Sequence, residues 1–145
     1  MPDATSSTIS ITAAAPAVLA VIADFAAYPQ WATGVQEARV LSTTVDGRAE
    51  QVHFVLDAAP IKDEYTLEYV WDGDRAVHWH LVEGKVLTAL EGTYELRERN
   101  GQTEVTYRLE VDVGMPLIGM LKRKAEKVII DAALRGLKAR VESSR

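Results

Sequence analysis

The stretch Ala15-Pro16-Ala17-Val18-Leu19-Ala20-Val21-Ile22-Ala23-Asp24-Phe25-Ala26-Ala27-Tyr28-Pro29-Gln30-Trp31 decides how the rest of the chain is read. Pro16 opens a helix where a missing N–H costs little, because that donor would be unpaired anyway. Pro29 stops it, and Trp31 is delivered just past the corner. Before this segment, Thr8–Thr12 alternates β-branched residues and reads as a strand. After it, from Val35 onward, the apolar period changes from helical to two.

Six further strands are expected, at Val35–Thr44, Arg48–Asp57, Ile61–Trp71, Arg75–Val82, Val86–Arg97 and Gln102–Val113. Asp46-Gly47, Asp72-Gly73 and Asn100-Gly101 are hairpin signals, since glycine and asparagine accept the positive φ of tight turns. In an antiparallel meander these three turns share one end of the sheet. The looser connections, Ala58-Ala59-Pro60 and Glu83-Gly84-Lys85, belong at the other, where the last helix must also start. Alternation places Tyr65, Leu67, Tyr69 and Trp71 on one face, with Trp79, Tyr94 and Tyr107 on the same face of later strands. The faces of Val35–Thr44 are ambiguous.

Pro116–Val141 reads as one amphipathic helix. Leu117, Leu121, Ala125, Val128 and Ala132 recur at spacings of three and four, and Leu134, Leu137 and Val141 continue the stripe. A helix of this length, roughly 40 Å, crosses a sheet of ten-residue strands. It covers only part of that sheet. The remaining apolar face must meet packed side chains, another protein or a cavity.

The chain has 145 residues, 48% hydrophobic and 26% charged, which suits one α+β domain spanning 8–142, with 1–7 and 143–145 as loose ends. A net charge of −5 argues against nucleic-acid binding, which needs surplus lysine and arginine. With no cysteine, disulfides, thiolate chemistry and cysteine-bound zinc are excluded. Ile11–Ala23 is too short to span a bilayer, which takes roughly 20 residues, and no basic segment precedes it. A cytoplasmic monomer is expected.

This order of elements, with the Tyr28-Pro29-Gln30-Trp31 corner, the Ala-Pro-Ala-x-x-x-Val-Ile-Ala-Asp-Phe run and the Pro-Leu-Ile-Gly-Met-Leu-Lys-Arg run, resembles the START/polyketide cyclase/dehydrase superfamily. The resemblance covers about Thr8 to Val141. It implies a helix-grip fold: a seven-stranded antiparallel curved sheet around a long C-terminal helix, with two short helices between strands 1 and 2. It implies a bound hydrophobic small molecule such as a lipid, isoprenoid or polyketide. The superfamily hosts carriers, receptors and cyclase/dehydrase enzymes alike, so no reaction follows from it.

The expected ligand-binding set is Trp31, Phe54, Tyr65, Leu67, Tyr69, Trp79, Tyr94 and Tyr107 on the sheet side, with Leu117, Leu121, Ala125 and Val128 on the helix. Either the rings fill the core, or they line a cavity and orient an apolar guest with their polar ends. No cofactor and no metal are expected. His78 and His80, with Glu64 and Glu68 on the neighbouring strand, could chelate a metal, but they face solvent. His53 points away from the Val52/Phe54 face, and Asp57, Lys62 and Asp63 read as solvated turn residues, with a cavity mouth as the alternative. There is no G-x-S-x-G elbow and no glycine-rich phosphate loop. Lys122, Arg123, Lys124 and Lys127 read as a solvated face that could touch an anionic membrane in passing. Met115–Met120 beside them is a plausible gate.

Overall fold

The computed structural model describes residues 5–32, 34–58, 61–113 and 119–143, and the side chains of these except 58, 61, 113 and 119–122. Strand β1 (Thr5–Ile11) leads into α1 (Ala15–Ala23), one 3-10 turn (Phe25–Ala27) and the single-turn helix α2 (Tyr28–Trp31). Strands β2 (Val35–Thr43), β3 (Ala49–Ala58), β4 (Ile61–Asp72), β5 (Ala76–Gly84), β6 (Leu87–Arg99) and β7 (Gln102–Val113) follow, then α3 (Gly119–Ser143). The sheet is antiparallel and seven-stranded, in the order β1-β7-β6-β5-β4-β3-β2. This is the expected α+β meander, with two short helices between β1 and β2 and a long helix packed on the sheet.

The tight turns behave as their residues dictate. Asn100 and Gly101 both take positive φ, 54° and 78°, and Arg99 pairs with Gln102 across them. That is the backbone a two-residue hairpin demands. The α1 N-terminus has no capping side chain of its own. Instead the Ala15 N–H donates to Glu98 Oε1 on β6 at 2.8 Å, tying the helix to the sheet.

Two sequence expectations need correction, and a third point, left ambiguous, is explained. Strand β1 begins at Thr5, not Thr8, so residues 5–7 are not a loose end: Thr5, Ser6 and Ser7 pair with Leu109, Arg108 and Tyr107. Their polar composition hides a strand held by its backbone ladder. Similarly, α3 runs to Ser143. Finally, β2 carries register shifts at Val35/Glu37, Val40/Ser42 and Ser42/Thr43. Each bulge resets the alternation, which is why no single face could be assigned to it.

Helix α3 presents two faces rather than one stripe. Ile130, Leu134, Leu137 and Val141 are buried with Glu126, while Val128 is 63% exposed and Ile129 38%. The first face seats on β1 and β7. Glu126 accepts from Thr5 Oγ1 at 2.6 Å, and Lys138 Nζ donates to the Ser10 carbonyl at 2.7 Å. From 126 to 138 the helix rises about 18 Å, and from 5 to 10 the strand covers about 17 Å, so the two run in step. The start of the expected helix, 116–118, lies outside the described residues.

Candidate functional site: an aromatic cavity under the last helix

The second face of α3 overhangs the sheet and leaves a cavity of about 760 Å³ beneath it. Its floor comes from inward positions of β3 to β7, and Val35 of β2 adds to the wall. One end is closed by α2 and the roof is α3. The rings form a connected layer. Centroids are 5.6 Å apart for Tyr69–Trp79, 5.2 Å for Trp79–Tyr94, 4.7 Å for Tyr94–Tyr107 and 5.4 Å for Phe54–Tyr65. Most are tilted, as ring quadrupoles prefer. The rings therefore pack against each other along the sheet and still leave the space below α3 open.

Trp79 lies flat because of one glycine. A Cβ on Gly92, its partner across β5 and β6, would fall 2.2 Å from Trp79 Cε2. No side chain fits there. At the closing end, a Cβ on Gly136 would meet the Trp31 carbonyl oxygen at 2.9 Å and its ring at 3.3 Å. Gly136 thus lets α2 lie directly against α3.

Of the expected set, Trp31, Phe54, Tyr65, Leu67, Tyr69, Trp79, Tyr94, Tyr107, Ala125 and Val128 all line this cavity. Leu117 and the side chain of Leu121 lie outside the described residues, as does most of the Met115–Met120 segment. Sequence reasoning missed Tyr28, Leu56, Leu87, Leu90 and Ile129, which also line it. Tyr28 was findable: one helical turn puts residues 28 and 31 on the same face, and their rings sit 4.9 Å apart.

The polar groups divide sharply. The Tyr28 hydroxyl donates to the Ile22 carbonyl at 2.5 Å. The hydroxyls of Tyr65, Tyr69, Tyr94 and Tyr107 have no hydrogen-bond partner among the described residues. Burial pushes all five hydroxyls well above the ordinary tyrosine range, with smaller contributions from one another and, at Tyr28 and Tyr65, from nearby aspartates. They are neutral donors at physiological pH. Among the described lining residues only Asp57 and Lys124 carry charge.

The other candidates have structural roles. Asp63 is not a solvated turn residue: it is 5% exposed, and its carboxylate accepts from the N–H groups of Lys85, Val86 and Leu87 at 3.0, 3.0 and 2.9 Å. It clamps the β5–β6 turn to β4. On the outer face, Glu64 sits 2.6 Å from Lys85 Nζ and 3.5 Å from His53 Nε2. The hydrogen bond from Lys85 holds its carboxyl below the usual range. Lys62 Nζ is 3.9 Å from Asp57. His78 bonds Thr93 Oγ1 at 3.0 Å and His80 lies 3.7 Å from Glu68. Among the described residues no three such groups converge as metal ligands. In the basic cluster, Lys127 is engaged by Ser7 and Asp131, Arg123 and Lys124 are exposed, and the Lys122 side chain is not described. No described helix is long and apolar enough to cross a membrane.

A sheet gripping a long helix over an aromatic hollow is a helix-grip arrangement. Residues 3–142 match the family model for polyketide cyclase / dehydrase and lipid transport, and the chain belongs to that family. Its fold is similar to that of a START superfamily protein from Mycobacterium smegmatis, at 22% identity over 98% of this chain and 99% of that one, with a TM-score of 0.91. It is similar also to the ZhuI aromatase/cyclase from Streptomyces sp. R1128, at 15% identity over 97% and 93% of the two chains, with a TM-score of 0.79. A protein from Thermus thermophilus matches at 20% identity over 98% and 99%, with a TM-score of 0.82. No curated protein matches in sequence.

Proposed function

We propose that the chain binds a hydrophobic small molecule in the cavity between the sheet and α3, as a carrier or sensor. The observation that carries this reading is the cavity itself: about 760 Å³, within the ~300–1,000 Å³ of small-molecule sites. Its walls are mostly apolar and aromatic, and Val128 and Ile129 stand exposed where a guest would enter. The test is native mass spectrometry of the purified chain for retained small molecules, with tryptophan fluorescence titration by a lipid and quinone panel. Trp31 and Trp79 are the reporters. A guest should bind, and Val128→Trp should weaken it at least about tenfold while circular dichroism is unchanged. An empty chain that binds nothing from the panel would refute the reading.

A second reading is an enzyme of the cyclase/dehydrase type acting on a molecule held in the same place. It is favoured by the unpartnered tyrosine hydroxyls, which could polarise a carbonyl while the walls exclude water. Turnover that disappears in Tyr65→Phe, Tyr69→Phe or Tyr94→Phe while binding survives would select it. Equal turnover in all three would remove it.

A further inference from the structure

We propose that the guest is an uncharged molecule bearing oxygen atoms, held at its polar end by the hydroxyls of Tyr65, Tyr69, Tyr94 and Tyr107, and that the site selects against carboxylates. This deepens the binding reading above and rests on it. Each of these four residues is less than a tenth exposed, lines the cavity, and has a hydroxyl without a partner among the described residues. Water in the cavity can serve these hydroxyls, but an apolar guest that displaces it leaves them unpaired at a cost, so a guest that itself accepts from them is favoured. Tyr28 shows the contrast, because its hydroxyl is already spent on the Ile22 carbonyl.

Three of the four rings are grouped. Tyr69, Tyr94 and Tyr107 stand around the single indole of Trp79, at ring distances of 5.6, 5.2 and 5.6 Å. A carbonyl or hydroxyl oxygen can accept from such a group. Among the described lining residues the one cation is Lys124, on the first turns of α3, and Asp57 of opposite sign also lines the cavity. A carboxylate among the rings would be desolvated without a counter-charge. The burial that keeps the tyrosines protonated opposes a guest's negative charge equally. A fatty acid could reverse itself and leave its head beside Lys124. Its methylenes would then lie against the hydroxyls and leave them unserved.

Three probes of one shape separate these cases: anthracene, 9,10-anthraquinone and anthraquinone-2-carboxylate, with palmitate as a fourth, titrated against the intact chain by tryptophan fluorescence. Anthraquinone should bind about tenfold or more tighter than anthracene, the scale of one to two hydrogen bonds, and tighter than either carboxylate. In the double variant Tyr94→Phe/Tyr107→Phe, which leaves Tyr65 and Tyr69, the quinone's advantage over anthracene should shrink by about threefold or more while the affinity for anthracene is held. Thermal melting checks that the variant is folded. Tyr69→Phe serves as the second variant if it is not. Carboxylates that bind as well as the quinone, or a quinone preference undiminished in both variants, overturn this inference and leave the cavity reading intact. Failure of all four probes, anthracene and palmitate included, overturns both.

Discussion

Glu126 is the residue on which the two halves of the structure depend. It is 1% exposed, and its two carboxyl oxygens accept from Thr5 Oγ1 at 2.6 Å and the Val111 N–H at 2.8 Å. Val111 lies just past Leu109, which pairs with Thr5 in the β1–β7 ladder. Its N–H is therefore satisfied by a helix side chain. Glu126→Ala removes both acceptors and leaves a buried donor unserved, an expected loss of roughly 2–4 kcal/mol. Glu126→Gln keeps one acceptor oxygen and should lose about half of that. Urea unfolding midpoints at constant slope check both values. A change below about 0.5 kcal/mol in the alanine variant would show that the contact contributes nothing net.

Among the elements, α3 and its contact with α2 set the cavity's shape, and Gly136 sets the contact. Alanine at 136 gains up to about 1 kcal/mol of helix propensity. Against this, its Cβ would press on the Trp31 backbone oxygen at 2.9 Å, and backbone cannot rotate away as a side-chain tip can. Overpacking of this kind costs about 1–3 kcal/mol, so the clash outweighs the propensity. Gly136→Ala should lower the melting temperature and shift Trp31 fluorescence, and unchanged values for both would refute the close approach. Elements were the most legible scale in the sequence. The three tight hairpin turns were each marked by a glycine, and β7, with Val105, Tyr107, Leu109 and Val111 buried in alternation, was readable without ambiguity. What stayed hidden was whatever lacks a period: the bulges of β2, the polar β1 residues, and the division of α3 into a packing face and a roof. Ile130 and Val128 are both apolar on that helix, and only the position of the sheet separates them. Asp63 was hidden for another reason, since its three backbone partners come from a turn that alternation cannot place.

For the whole molecule, all five tyrosines of the chain are buried beside one cavity, and this couples stability to alkaline pH. Each has its folded pKa raised above the ordinary value of 10.0, chiefly by burial. Below pH 10 the tyrosines are protonated in both states and contribute no slope. Above it the unfolded chain releases protons that the folded chain retains, so stability falls as pH rises. The slope approaches about 1.4 kcal/mol per pH unit for each tyrosine. Tyrosinate absorbance should appear in one cooperative step together with the loss of circular dichroism. Gradual ionisation near pH 10 with the fold intact would mean that the rings are solvated. An uncharged guest that fills the cavity should move the step to higher pH.

The pairing of Thr5 with Leu109 has a consequence for biosynthesis. β2 to β7 can zip from hairpin to hairpin as they leave the ribosome, but β1 has no neighbour until more than a hundred residues have been made, and α3 arrives later still. High contact order of this kind slows folding. The first strand must wait, exposed, through nearly the entire translation of the domain. Nascent chains stalled before β7 should accordingly remain protease-sensitive at β1, and resistance there should appear only after the last helix has emerged.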